Sequence, residues 1–209
     1  MGVLRSGILG HMSGKTAGVV GGKWKDKSYI REYVIPANPN TTPQQTQRTK
    51  FAKAVEFAKP LVGQVFNVYG DKFQKSMSGF NAFIGSSIAA FVGAYNYAIM
   101  KITQGKLWGV PITSATYGAT DVVFVFDGAS LGNNGAGTDK AYAIVYEATT
   151  KIFHFAAAEV ARSTGTISVP IGAGHAAGNL FAFLWFAKYS STSPTLLEMV
   201  SNNTYHTVV

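Results

Sequence analysis

The sequence predicts an α+β protein: a basic, Gly-rich arm and β-hairpin, central helices, and a C-terminal antiparallel Ig-like or fibronectin-like β-sandwich. Three observations predict it. Seven glycines fall within residues 2–22, and Lys23, Lys25 and Lys27 follow directly. Apolar residues then recur at intervals of three and four between positions 51 and 99, the period of a helix face. Beyond Leu107 the pattern becomes short β-prone runs divided by Gly-rich or polar turns. The regions are 1–41, 42–106 and 107–209.

Gly10, Gly14, Gly18 and Gly22 recur every fourth residue and would line one face of a helix. Glycine costs a helix about 1 kcal/mol per position relative to alanine, so an extended or looped arm is expected instead. Residues 23–35 read as a hairpin, with Asp26-Lys27 near its turn and a β-prone run from Tyr29 to Ile35. Pro36, Pro39 and Pro43 make 36–43 a stiff linker. Thr42-Pro43-Gln44-Gln45 starts a helix: a capping hydroxyl, proline at the first helical position, and glutamine closing a capping box. Its apolar stripe is Phe51, Val55, Ala58, Val62, Val65, Phe66, Tyr69 and Phe73, with a kink or split at Pro60.

Residues 76–100 carry no charge. Phe80, Ile84, Ile88, Phe91 and Tyr95 form a helical stripe, and Gly85, Ala89 and Gly93 a small-residue ridge. A membrane span has this length and ridge. Asn81, Ser86, Ser87 and Asn96 favour a helix buried closely between protein surfaces. Seven strands are expected after it, at 122–126, 141–146, 152–155, 166–171, 180–188, 196–200 and 204–209. No helix-length crossover separates them, which argues against a parallel sheet.

The charged share, 13 %, is half the usual quarter, so much of the surface is expected to meet neighbours. The absence of cysteine excludes disulfides, thiol catalysis and Cys-based zinc sites. The first ten residues lack an apolar run long enough for a secretory signal. The net charge of +8 sits entirely in residues 1–75, with twelve Lys/Arg and four acids, whereas 76–209 hold six of each. A concentrated basic segment favours an anionic partner, nucleic acid or an acidic protein surface.

Gly10 to Thr16 approximates a phosphate-binding loop but has one residue too few between Gly10 and Gly14-Lys15-Thr16. His11, His154, His175 and His206 show no zinc spacing, and no Gly-x-Ser-x-Gly elbow occurs. No catalytic residue, metal or cofactor is therefore assigned. Trp24, Tyr29, Arg31 and Tyr33 are the candidate assembly interface. Lys15, Lys23, Lys25 and Lys27 are candidate anion contacts. Aromatics interleaved with basic residues suit single-stranded nucleic acid or packing on protein.

One stretch carries a resemblance. Gly14-Lys15, Gly18, Val20, Lys23-Trp24-Lys25, Tyr29-Ile30-Arg31, Pro36, Asn38-Pro39, Thr41, Gln44-Gln45, Arg48, Phe51 and Ala58-Lys59-Pro60 resemble a family of unknown function. Its members come from phages, prophages and bacteria of the Bacteroidetes type. The resemblance implies a phage-linked origin and an N-terminal module shared within the family, and it assigns no functional residue. The expected function is a virion structural protein (capsid-auxiliary, connector or tail component), made in the host cytoplasm and assembling with copies of itself and other virion proteins. The alternatives are a nucleic-acid-binding accessory protein, acting through residues 1–75, and a membrane- or host-surface-interacting protein, which the polar residues within 76–100 disfavour.

Overall fold

The computed structural model describes residues 3–5, 11–25, 27–35, 37, 40–71, 76–193 and 195–209. The chain divides into two units, Met1–Gln44 and Gln45–Val209. The glycines and prolines at 2, 7, 10, 36 and 39, the turn residue Asp26 and the stripe residue Phe73 lie outside the described residues.

In the first unit the expected arm is a four-stranded antiparallel meander. Its strands are β1 (Val3–Arg5), β2 (His11–Thr16), β3 (Val19–Trp24) and β4 (Lys27–Glu32), in that spatial order. Gly14-Lys15-Thr16 therefore belongs to a strand, not to a loop opening a helix. The glycines serve close approach rather than looseness. Gly14 pairs with Gly21, and a Cβ on Gly21 would lie 2.3 Å from the Met12 carbonyl oxygen. The expected hairpin is β3–β4. Trp24 pairs with Lys27, so the hairpin turns between them, near the expected place, with Lys25 at φ 53°. Among the described residues of this sheet only Gly21 is buried.

The second unit has three layers. Helix α1 (Thr42–Ala58) starts at the expected cap residue and ends just before Pro60, in a 3-10 turn at Lys59–Leu61. A wider, π-type helix continues over Val62–Gly70, closed by the Asp71 amide donating to the Phe66 carbonyl. The buried stripe is Ala54, Phe57, Ala58, Leu61, Val65, Phe66 and Tyr69, rotated from the expected one, so that Phe51 stands exposed. Phe57 explains the rotation: its ring meets those of Phe83, Phe91, Tyr95, Tyr97, Tyr146 and Phe153.

The single helix expected over 76–100 breaks. Helix α2 is Gly79–Ser87, capped by Ser78, whose hydroxyl accepts from the Asn81 amide. It tightens to a 3-10 turn at Ile88–Phe91, and Gly93 takes φ +71°. Gly85, Ala89 and Gly93 thus form no common ridge, and all three are exposed. No helix among the described residues is long and apolar enough to cross a membrane. The close small-residue contact is instead Gly70 against Gly79, where a Cβ on either would lie 2.7 Å from the other's Cα.

The remaining strands form two antiparallel sheets. Strands β5 (Ile112–Tyr117), β6 (Asp121–Phe126) and β10 (Thr166–Pro170) make one, ordered β10-β6-β5. The other holds β7 (Lys140–Glu147), β8 (Ile152–Phe155), β9 (Val160–Ala161), β11 (Leu180–Tyr189), β12 (Leu197–Val200) and β13 (Thr204–Thr207). At its centre β7 pairs with β11 over eight residues. Alternation sends Ala141, Ala143, Val145, Ala182, Leu184 and Phe186 into a core shared with the three-stranded sheet. Ile144, Tyr146, Phe183, Trp185 and Ala187 enter a second core under the helices. All seven expected strands are present; β5 and β9 are additional.

Candidate functional site

Cross-strand register decides which side chains of the N-terminal sheet share a face. Opposed residues of an antiparallel pair point the same way, and residues two apart along a strand do too. Val20 pairs with both Lys15 and Arg31, Gly22 with Tyr29, and Trp24 with Lys27. Tyr33 continues β4 two residues beyond Arg31, its amide donating to the Gly18 carbonyl at 2.8 Å. One face therefore carries Lys15, Trp24, Lys27, Tyr29, Arg31 and Tyr33, all exposed. The Lys15 ammonium sits 3.4 Å from the centroid of the Tyr33 ring.

Six of the eight candidate residues thus meet on one surface, mixing the proposed assembly aromatics with the proposed anion contacts. Lys23, paired with Ser28, points to the opposite face, and Lys25 is in the turn. That opposite face shows Val19, Ile30 and Val34, Ile30 being 67 % exposed. Glu32 lies there too, opposite Val19, so the aromatic-basic face carries no acid among the described residues.

Tyr29 owes its posture to glycine. A Cβ on Gly22 would fall 2.6 Å from the Tyr29 hydroxyl and 2.7 Å from Cζ. The ring therefore lies flat across its cross-strand partner, with 46 % of the residue exposed. Trp24, 71 % exposed, stands beside Lys27 at the hairpin end.

β4 is also an edge. It pairs inward with β3 and terminates the sheet. The inward bond from Tyr33 fixes the alternation: the peptide groups of Ser28, Ile30 and Glu32 point away from β3, along the open side.

Two constellations in the second unit were not foreseen. Glu147, nearly buried, accepts a 2.6 Å bond from the Thr150 hydroxyl and sits 2.8 Å from His175 Nδ1 and 3.9 Å from His154 Nε2. Burial raises the pKa of its carboxyl, but bonds from Thr150 and His175 and the neighbouring imidazoles outweigh that and hold it below the usual value. Burial also lowers the pKa of His154, overriding the pull of Glu147. The cluster does not form a nucleophilic triad: the hydroxyl donates to the carboxylate, not to an imidazole that the carboxylate orients. No group of three His, Cys, Asp or Glu able to hold a metal occurs among the described residues.

The other constellation borders a cavity of about 270 Å³ lined in part by Tyr69, Tyr142, Glu159 and Trp185. The Tyr142 hydroxyl donates to Glu159 at 2.5 Å and lies 2.9 Å from the Tyr189 hydroxyl. Burial, then the bond to Glu159, pushes the Tyr142 phenol far above its ordinary pKa and keeps it a donor. The rings stack on one another, Tyr142 against Trp185 at 14°, so this is core packing with a polar margin.

No curated protein and no solved structure matches the chain. The family comparison covers most of it: the model of DUF6266, a family of unknown function, matches residues 11–196, from β2 to the residue before β12, and the chain belongs to that family.

Proposed function

We propose that this chain is a non-enzymatic structural protein that assembles with its neighbours through the N-terminal sheet, and that its setting is a bacteriophage particle. The observation that carries the assembly reading is the open edge of β4. Six consecutive residues of this strand are exposed on both faces, and its outer side meets no further strand among the described residues. Such an edge is a template for an added strand, and Val19, Ile30 and Val34 give that strand's owner an apolar face to cover. The sparse charge of the chain and the resemblance of residues 14–60 to phage-linked sequences support the virion setting.

Ile30→Pro tests the edge. It removes an amide that points outward and leaves the β3–β4 ladder intact. Assembly, followed by sedimentation of the full chain and by its incorporation into particles, should fail in this variant while the second unit stays folded. Normal incorporation of the variant would rule out the edge. Mass spectrometry of purified particles tests the setting, and absence of the chain from them would rule it out.

A further inference from the structure

We infer that the aromatic-basic face of the N-terminal sheet binds single-stranded nucleic acid, with Tyr29 and Trp24 as stacking platforms and Lys15, Lys27 and Arg31 as phosphate contacts. The inference does not rest on a virion setting; it follows from what this face lacks and what it holds flat. Among the described residues it carries no acid, so its charge is complementary to a polyanion. Along β4 the order Lys27, Tyr29, Arg31, Tyr33 alternates cation and ring at intervals of about 6.8 Å, two residues of extended chain. Proteins that hold single strands without sequence preference combine these two parts: charge that tracks the backbone and rings on which bases stack.

Gly22 makes the argument specific. An ordinary exposed tyrosine stands away from its sheet. Here the missing Cβ lets the Tyr29 ring lie down on Gly22 and turn its other side to solvent. A ring fixed flat loses little freedom when a base covers it. Tyr33 differs, since the Lys15 ammonium already covers it at 3.4 Å. That pair fixes a cation at one end of the platform, as a phosphate contact requires. Duplex DNA fits poorly, because its bases are not free to stack on a sheet.

The test is fluorescence anisotropy of the full chain with labelled dT20, rU20 and a 20-base-pair duplex in 50–200 mM salt. Both single strands should bind more tightly than the duplex. With three phosphate contacts, log affinity should fall against log salt with a slope of about −2, a roughly twentyfold loss over that range. Tyr29→Ala should weaken binding about tenfold or more through lost stacking. Gly22→Val should weaken it similarly, because it lifts the ring without removing any contacting group. Lys23→Ala, on the opposite face, should leave affinity nearly unchanged. Amide hydrogen exchange across the β3–β4 ladder checks that the N-terminal sheet of each variant is folded, which the buried aromatics of the second unit would not report. Three results would overturn the inference: no binding of either strand at 50 mM salt, full affinity in both Tyr29→Ala and Gly22→Val, or equal binding of polyglutamate, which would mark the face as a site for acidic protein.

Discussion

At the scale of single residues, the firmest constraint is one that no pattern announces. Arg162 is fully buried. It stacks on Phe186 at 4.1 Å, reaches Asp139 at 3.6 Å, and donates to the Trp108 carbonyl. Asp139 in turn accepts from the Ala136 amide at 2.7 Å, so the pair ties the loop between β6 and β7 to the sheets. Arg162→Met keeps the apolar stem but strands a buried carboxylate, a change that costs about 3–5 kcal/mol. Adding Asp139→Asn should restore much of the loss, because the charge goes while an acceptor stays; urea unfolding of the single and double variants measures both. Glu147 and His154 give a pH signature with one sign. His154 titrates lower when folded than its unfolded value of 6.5, because burial disfavours its cation. The unfolded chain therefore takes up protons first, and stability falls as pH drops below about 6.5. Glu147, held below 4.5, adds a second loss as pH falls beneath that value. His154→Phe should flatten the first step in a series of thermal melts against pH and leave the second. Neither group betrays itself in the sequence: Glu147 and His175 lie 28 residues apart and meet only because β11 brings the end of its preceding loop beside β7.

At the scale of elements, the legible parts were those whose burial follows a simple period. Strands β6, β7, β8, β10, β11, β12 and β13 fall where alternating or continuous apolar runs place them. Strand β5 escapes because its register shifts between Ile112 and Ser114, so its buried residues, Ile112 and Ala115, stand three apart rather than two. The uncharged stretch shows the opposite failure, a helical period continuing past the end of the helix. Ser87 accepts from the Lys101 amide at 2.9 Å and Asn96 donates back to the Ala90 carbonyl, so the chain folds over instead of running on. The tight contact falls at Gly70 and Gly79, not at Gly85, Ala89 and Gly93. Ala89→Leu should therefore leave the melting temperature nearly unchanged, since Ala89 is exposed. Gly79→Ala should cost about 1–3 kcal/mol, because its Cβ would meet the backbone of Gly70 and the Phe66 carbonyl. The reverse order of the two would restore a continuous helix packed along its small residues. In the N-terminal sheet the alternation of Lys27, Tyr29, Arg31 and Tyr33 was readable, but only register shows that Lys15 joins their face and Lys23 leaves it.

At the scale of the molecule, the two units differ in what holds them. Both apolar cores lie within the second unit, and none of their buried residues precedes Ala54. β7 and β11 are covered on both faces there, which makes that unit a self-sufficient folding body. The first unit orders its strands with backbone pairing and a few contacts such as Tyr29 on Gly22, while Ile30, Val34 and Ile35 remain exposed. Fixing a residue's backbone costs about 1–2 kcal/mol, and the described residues of this sheet bury little apolar surface to offset it. A chain lacking residues 1–41 should therefore unfold in one cooperative step. Its midpoint should lie within about 3 °C of the full chain's, the equivalent of about 1 kcal/mol at this size. In the full, unassembled chain trypsin should cut first between Lys15 and Lys27 and leave the second unit whole. Once a partner strand lies along β4 or a nucleic acid covers the aromatic face, the same bonds should resist cleavage. The comparison is a time course of digestion with and without the partner, resolved by mass. Equal resistance in both states, or a second unit that fails to melt cooperatively without the first 41 residues, would show that the sheet is stabilised from within the chain and would remove the reason to seek a partner for it.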